Sequence, residues 1–288
     1  MSRIDVEKRT VRVVRWVTII LLTLAALFPF YYMLMMSFVP IQELLVHPGR
    51  IFVPFELLTT ATYENVLTPL NQGGQGFGRF MRNSAVVALA TTVLTLLVVV
   101  PAAYAVSRMS FPGRRQVTSL YFAVYLFPAI ILAIPLFVGL SALGIRQSYV
   151  GLVLVYVALT VPVSIHMLRN YFNTIPVSIE EAARVDGASR YQIMWSITLP
   201  LARPTIMSTA LYIFMIAWNE FLFALLFLTA APNLWTVSLG LSQLSSGIEV
   251  SKTVLMAGSV LLTVPILLLY SLAERALTEG LTGGAEKG

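Results

Sequence analysis

Long stretches without any charged residue constrain this chain more than any other feature. Five of them, each longer than 20 residues, separate successive charged side chains. About 20 apolar residues in a helix cross the hydrocarbon of a bilayer, so each stretch can span a membrane. The five stretches are bounded by Arg15 and Glu43, Arg82 and Arg108, Arg115 and Arg146, Arg146 and Arg169, and Lys252 and Glu274.

A sixth apolar stretch follows Arg203 and is interrupted only by Glu220. The chain is 58% hydrophobic and 11% charged, whereas soluble proteins are about 45–50% apolar and about 25% charged. We therefore predict an all-α integral membrane protein with six transmembrane helices. A cleaved signal peptide is the alternative for the first span, but its apolar run is long and no small-residue cleavage site follows. The predicted spans are residues 16–37, 84–107, 117–141, 149–169, 205–228 and 253–273.

The distribution of basic residues predicts the topology, because Lys and Arg favour the cytoplasmic side of a membrane. With the N-terminus inside, all but five of the 19 basic residues fall on the inner side. We therefore predict two cytoplasmic termini, with a basic arm at 1–15, a transmembrane domain at 16–274 and a tail at 275–288. The net charge of +6 then reflects topology and indicates no nucleic-acid partner. The five exceptions are Arg50, Arg79, Arg82, Arg146 and Lys252.

The sequence contains no recognisable catalytic or metal-binding set. There is no cysteine, which excludes disulfides, thiol catalysis and thiolate metal ligation. The two histidines, His47 and His166, are far apart, and no Ser/His/Asp set or phosphate-binding loop with a lysine occurs. We therefore predict that the chain is not an enzyme, has no metal site and binds no cofactor itself.

A compact polar insert at residues 178–200 interrupts the apolar pattern between the fourth and fifth predicted spans. Ser178 and Glu181 fit a capping box, so a short helix is predicted to start at Ile179. Gly187 suits the left-handed residue that ends a helix. A second capping box, Ser189 to Gln192, predicts a second short helix that Pro200 stops. The insert is therefore predicted to form two short helices joined by a glycine elbow.

The two predicted helices differ in what they expose. On the first, small residues would let another protein approach closely, and charged residues would form a rim that sets register. On the second, an apolar set would pack back under the spans. The alternative is a structural loop lying at the lipid headgroups. The small residues are Ala182 and Ala183, the rim is Glu180, Glu181, Arg184 and Asp186, and the apolar set is Ile193, Met194, Trp195 and Ile197.

The insert resembles the EAA loop of ABC-importer permeases. The match comprises Glu181-Ala182-Ala183, then Gly187, and then Ile197-x-Leu199-Pro200. The segments "AWNEFLFALLFLT" (217–229) and "GLTGGAEKG" (280–288) are similar to the carbohydrate-uptake, maltose-transporter-type branch of that family. The resemblance implies a type I importer permease fold in a bacterial or archaeal cell membrane.

The resemblance also implies partners. These are a second, homologous permease forming a heterodimer, two ATP-binding cassette subunits that carry ATP and Mg, and an extracytoplasmic sugar-binding protein, with lipid around the spans. The EAA loop would dock on the ATPases and transmit their closure, and the chain would serve uptake of an oligosaccharide or a related polar glycoside. The residues implied in this coupling are Glu180, Glu181, Ala182, Ala183, Arg184, Asp186 and Gly187.

Two further contacts are implied by the same resemblance. The Gly, Ser and Asn content of the loop between the fifth and sixth spans suits a flexible finger, and the resemblance implies that this loop reaches the binding protein. The tail is expected to become ordered against the ATPases. The loop residues concerned are Gly240, Leu241, Ser242, Gln243 and Gly247, and those of the tail are Gly280, Leu281, Thr282 and Lys287.

Glu220 is a carboxylate well inside a predicted span, with Trp218 and Asn219 beside it. A charge in hydrocarbon is expensive and usually faces a polar cavity or a partner. One interpretation is that the three residues line the translocation path, because an indole ring and an amide suit sugars. The other is that Glu220 forms an interhelical hydrogen-bond clamp or contacts the partner permease.

A secondary transporter of a small polar solute, driven by an ion gradient, is the alternative function. Such proteins usually place several ionisable or unwound sites mid-membrane, whereas this chain offers one acid and no evident inverted repeat. A membrane-embedded enzyme is disfavoured by the missing catalytic set. An accompanying ATPase chain on purification would distinguish the importer permease from both.

Overall fold

A computed structural model of the chain describes residues 3–47, 50–246 and 251–282. All regular elements in these ranges are helical, which agrees with the predicted fold class. The long helices are α1 (Arg3–Ser37), α4 (Phe77–Arg108), α7 (Tyr149–Thr174), α11 (Arg203–Asn219) and α14 (Lys252–Thr282). The shorter ones are α2 (Ile41–Val46), α3 (Ala61–Leu67), α5 (Arg114–Tyr125), α6 (Ala129–Ala142), α8 (Val177–Val185), α9 (Arg190–Ile193), α10 (Leu199–Leu201), α12 (Leu222–Leu228) and α13 (Val237–Ser246).

Four helices in the described part of the chain are long and apolar enough to cross a membrane: Thr10–Ser37, Phe77–Arg108, Tyr149–Thr174 and Lys252–Glu274. The count rises to five if Arg190–Leu201 and Arg203–Asn219, which meet at 76°, are taken as one span. These four helices contain the predicted spans 16–37, 84–107, 149–169 and 253–273.

The other two predicted spans are each divided. Residues 117–141 fall on α5 and α6, which are separated at Leu126–Pro128. Pro128 is the N-cap of α6, and proline disfavours helical backbone at the residue before it. Residues 205–228 fall on α11 and α12, which are separated at Glu220 and Phe221.

The chain divides into two compact units. The first consists of residues 1–78 and 243–261. In it, Phe38 O accepts a hydrogen bond from Thr59 N at 2.7 Å, and the Ser37 and Tyr63 hydroxyls are 2.8 Å apart. Burial raises the pKa of the Tyr63 hydroxyl, and the hydrogen bond to Ser37 offsets part of this rise. These contacts hold α3 to the end of α1.

The second unit comprises residues 79–242 and 262–288 and is built around α7. One face of this helix is fully buried, because large apolar side chains recur there at helical spacing. Near the C-terminal end of α7 they form a core cluster with α4, α5 and α10. The cluster comprises Val99, Val100, Ala103, Tyr104, Tyr121, Ile165, Leu168, Phe172, Ile175, Leu199 and Ala202.

Candidate functional site

The polar insert begins with α8, which ends in a glycine elbow as the sequence predicts. Gly187 has φ +84°, a left-handed conformation in which residues other than glycine are strained. Its N–H donates to Arg184 O at 3.1 Å, and Ala188 N–H donates to Ala183 O at 2.9 Å. This pair of bonds is a Schellman motif, which satisfies carbonyls at a helix end. The elbow therefore stops α8 and turns the chain.

The predicted start of α8 is wrong. The helix begins at Val177 with Pro176 as its N-cap, and no side-chain cap is formed there. Proline fixes φ near the helical value, so the rigid Ile175-Pro176 step initiates the helix without the hydroxyl of Ser178. The first capping box, from Ser178 to Glu181, is therefore not present.

The second capping box is confirmed. Ser189 Oγ accepts from Gln192 N at 3.3 Å, and Gln192 Oε1 accepts from Ser189 N at 2.8 Å. The prediction that Pro200 stops the second helix is wrong, because the chain continues through a π turn at Met194–Thr198 into α10. Pro200 lies in the first turn of α10, and the helix continues past it to Leu201.

Glu180 is 2% exposed, so its predicted place on the charged rim is wrong. Its Oε1 lies 3.1 Å from Arg108 Nε in an ion pair and accepts from the Thr198 hydroxyl at 3.1 Å. Its Oε2 accepts from the Tyr104 hydroxyl at 3.4 Å. Side chains of α4 and of the π turn therefore meet the Glu180 carboxylate of α8. A charge in an apolar core requires such partners.

Arg108 completes this anchor. Its Nη2 donates to the carbonyls of Phe172 and Ile175, each at 2.6 Å. The last residue of α4 therefore binds the end of α7, the linker to α8 and the carboxylate of α8. This role of Arg108 was not predicted, although an arginine directly after a long apolar span is a signal for such a contact.

The exposed surface of the insert differs in part from the prediction. Glu181, Ala182, Arg184 and Asp186 are exposed, and Ala183 is half-buried. Beside them lies Val185, which is 89% exposed. The chain thus presents an aliphatic side chain inside the charged rim.

The second half of the insert has one buried side and one exposed side. Ile193 is buried, while Met194 packs on the core cluster, as predicted. Trp195 is 50% exposed, so the expectation that it packs back under the spans is wrong. Its ring lies 5.9 Å from that of Tyr191, which is also exposed. The insert therefore exposes three large apolar or aromatic side chains, Val185, Tyr191 and Trp195, which we refer to together as the exposed apolar patch.

Glu220 occupies the break between α11 and α12 and caps the second of these helices. Its carboxylate accepts from Phe223 N at 2.9 Å, from Ala224 N at 3.2 Å and from the Tyr156 hydroxyl at 2.5 Å. These contacts correspond to the hydrogen-bond clamp that the sequence left open. The carboxylate replaces the bonds that the broken helix cannot supply.

The two residues that precede Glu220, Trp218 and Asn219, differ in their exposure. Trp218 is buried, and its indole N–H donates to Leu262 O at 3.0 Å. Asn219 is exposed, and its side-chain N–H donates to Met215 O at 2.9 Å. Of the three residues predicted to line a path, Trp218 is thus enclosed and Asn219 is accessible.

Hydrogen bonds and close packing fix the loop after α12 to α4. The expectation of a flexible finger is therefore wrong for the described part of this loop. Asn83 donates to the carbonyls of Asn233 and Trp235 at 3.0 and 2.9 Å. Gly240 is buried in α13, where a Cβ would overlap the Phe80 ring. Gly240 is therefore a packing residue, while Leu241, Ser242 and Gln243 follow it on the same helix and are half-buried.

The predicted tail contacts fall at the end of α14. Gly280, Leu281 and Thr282 continue that helix. Lys287, like Gly247 of the preceding loop, lies outside the described residues. Among the described residues there is also no cluster of three or more His, Asp or Glu that could hold a metal ion.

Long apolar helices, together with a polar two-helix insert that is anchored on one side and exposed on the other, define a class of protein. They are the attributes of a multi-helix membrane protein whose polar surface segment is fixed to its long helices. Residues 100–282 match the family described as "Binding-protein-dependent transport system inner membrane component". This match covers more than half of the chain, and the chain belongs to this family.

Curated relatives extend the match over nearly the whole chain. The inner membrane ABC transporter permease protein YcjP of Escherichia coli (strain K12) is 38% identical over 98% of this chain and 99% of its own. The trehalose/maltose transport system permease protein MalG of Thermococcus litoralis is 37% identical over 93% and 94%. The chain is thus a transport component and not an enzyme, and the secondary-transporter alternative is set aside.

A solved structure supports the same fold. The bacterial ABC transporter involved in the import of the acidic polysaccharide alginate matches with a TM-score of 0.81. The two sequences are 25% identical, and the match covers 96% of this chain and 98% of that one. The chain therefore has the ABC importer permease fold, and the family implies a second permease, an ATPase and a binding protein as partners.

Proposed function

We propose that this chain is the permease subunit of a binding-protein-dependent ABC importer for an oligosaccharide or a related polar glycoside. The carbohydrate assignment rests on relatives named for trehalose/maltose, trehalose and diacetylchitobiose. The observation that carries the mechanism is the insert, whose buried Glu180 fixes it to α4 while Val185, Tyr191 and Trp195 stay exposed.

In this proposal the exposed apolar patch, with Glu181, Arg184 and Asp186 around it, docks on one of two ATP-binding cassette subunits. ATP and Mg are held by those subunits, and this chain binds no cofactor. Closure of the ATPases would displace α8, and the pair of Glu180 with Arg108 would carry that displacement to the end of α4. A buried ion pair suits this role because breaking it is costly.

We further propose six membrane crossings with both termini in the cytoplasm. The third crossing would be α5 with α6, and the fifth would be α11 with α12. Because the chain has no cysteine, single introduced cysteines report topology without background. A cysteine at Val185 should react from the cytoplasmic side, and one at Asn71 from the outside, in membranes of a bacterial or archaeal host. The reverse pattern would refute this orientation.

The decisive experiment is reconstitution in proteoliposomes with the second permease, the ATPases and the binding protein. Sugar-loaded binding protein should stimulate ATP hydrolysis, and labelled glycoside should accumulate only with ATP. Purification of the chain without any ATPase, or uptake that follows an ion gradient alone, would refute the proposal.

We retain the proposed contacts of the loop with the binding protein and of the tail with the ATPases, but no longer include Gly240 among the contacting residues. Leu241, Ser242, Gln243 and Gly247 remain candidates for the binding protein, while buried Gly240 would support them. Residues 280–288 are proposed to contact the ATPase pair through Lys287. Deleting these nine residues should weaken ATPase association more than membrane insertion, whereas undiminished association and uptake would refute the contact.

A further inference from the structure

A basic cavity of about 490 Å³ lies beside the turn between α4 and α5. Three of its lining residues are arginines, Arg114, Arg115 and Arg169, while Gln116 and Thr118 add polar groups. None of the described residues that line it is acidic. Three cations around one opening repel one another unless an anion lies between them.

The arginines retain hydrogen-bond donors that the protein does not use. Arg114 donates to Ser107 O at 3.2 Å, and Arg169 donates from Nη1 to the Tyr121 hydroxyl at 3.0 Å. Arg169 Nε is buried and has no hydrogen-bond partner among the described residues. Arg115 is exposed, and within the described part of the chain its side chain has no hydrogen bond or ion pair. Each guanidinium can therefore still bind an oxyanion.

The backbone adds to the positive potential. The 12-residue helix α5 starts at Arg114, so the positive end of its dipole lies at the cavity. Gly113, just before it, has φ +89° and nothing within 4 Å of where a Cβ would stand. The turn thus leaves room at the helix N-terminus, where phosphate groups bind well.

An apolar face leads away from the cavity along the same helix. Val117, Leu120 and Val124 recur at helical spacing and are all exposed. A charged site at the end of an apolar helix face matches a molecule with an anionic head and a hydrocarbon body. A small inorganic ion would use the arginines but not this face.

We propose that the cavity binds the phosphate of an anionic phospholipid, whose acyl chains lie along Val117, Leu120 and Val124. Bound there, the headgroup bridges Arg115 to Arg169 and thereby joins the start of α5 to the end of α7. Arg114 holds Ser107 O, next to Arg108, so the lipid also stabilises the end of α4 that anchors the insert. The site does not depend on which solute the chain transports.

Native mass spectrometry of the full chain, purified from membranes with its accompanying subunits, tests the site. After delipidation, phosphatidylglycerol or phosphatidylcholine is titrated back and retained lipid is counted. We expect selective retention of one phosphatidylglycerol per copy of this chain. Arg115→Gln should weaken retention about five-fold, the effect of one basic side chain near an anionic surface. Arg115→Lys should largely preserve it, because the charge is kept.

Arg82→Gln is the matched control, since it removes an exposed arginine near the opposite end of α4 and should not change retention. A third arm titrates inorganic phosphate against the bound lipid. Equal retention of the two lipids, or equal loss in the Arg82 and Arg115 variants, would overturn the proposal. Displacement of phosphatidylglycerol by millimolar phosphate would overturn the lipid as ligand and assign the site to a free phosphate.

Discussion

Two interruptions of helix in this chain each involve a carboxylate in an apolar environment, yet they are built in opposite ways. At the elbow after α8, the backbone defines the bend through Gly187 at positive φ, and Glu180 anchors the bent segment to a cation. At the break after α11, Glu220 and Phe221 keep negative φ values, and the Glu220 carboxylate itself holds the break. The first carboxylate therefore joins distant segments, whereas the second replaces local backbone bonds.

Removing the carboxylate at 180 should have the largest effect, because Arg108 would stay buried without its partner. Glu180→Ala is expected to cost about 3–5 kcal/mol, measured as the loss of melting temperature and of folded yield in detergent. Glu181→Ala, an exposed neighbour on the same helix, is the control and should leave stability nearly unchanged. Equal effects of the two substitutions would contradict the anchor.

Removing the carboxylate at 220 should have a smaller effect, because only neutral groups lose their acceptor. Glu220→Ala is expected to cost about 2–3 kcal/mol, since two amides and a buried hydroxyl are left unsatisfied. Glu220→Gln should recover about half of this in the same melting assay. At position 180 glutamine should recover little, because Arg108 requires a charge. Similar recovery of stability by glutamine at positions 180 and 220 would contradict this difference between the two carboxylates.

A substitution at Gly187 should destabilise the elbow through backbone strain and not through steric overlap. Nothing lies within 4 Å of where a Cβ would stand at this position. Gly187→Val is expected to cost about 1–2 kcal/mol, because a β-branched residue is strained at this φ. Coupling, measured as stimulated ATP hydrolysis and uptake, should fall while membrane insertion persists. Gly187→Asn, which tolerates the left-handed region, should retain coupling, and a valine variant that pumps normally would refute the elbow's role.

The smallest expected effect concerns Tyr156, which contributes one hydrogen bond to Glu220. Tyr156→Phe keeps the buried ring and should cost about 1 kcal/mol. In the Glu220→Ala background the same substitution should cost less or even stabilise the protein, because the unsatisfied hydroxyl is removed. A double-mutant cycle measures this coupling, and strict additivity would show that the contact contributes nothing.

The sequence predicted those features that depend on local pattern. Four spans follow from uninterrupted apolar length, and Gly187 and the box from Ser189 to Gln192 follow from residues adjacent in the chain. Pro128 illustrates a weaker signal, because a proline within an apolar run is compatible with either a continuous helix or a break. Only the packing around it decides between them.

The features that were missed depend on contacts between distant segments. The burial of Glu180 is set by Arg108 and Thr198, which lie far from it in the chain. Gly240 was assigned to a flexible finger on composition, whereas its lack of a side chain serves close packing on Phe80. Trp195 faces solvent because it follows the buried Ile193 by two residues, a step of about 200° around a helix.

The anchor between α4 and α8 also bears on how the protein is made. Arg108 emerges from the ribosome well before Glu180, with three further helices synthesised between them. Since chains are synthesised from the N-terminus, the guanidinium lacks its carboxylate partner while α5, α6 and α7 are being made. Closure of the pair then comes late in biogenesis, and a nascent chain stalled before residue 180 would leave Arg108 with only the carbonyls of Phe172 and Ile175 to bind.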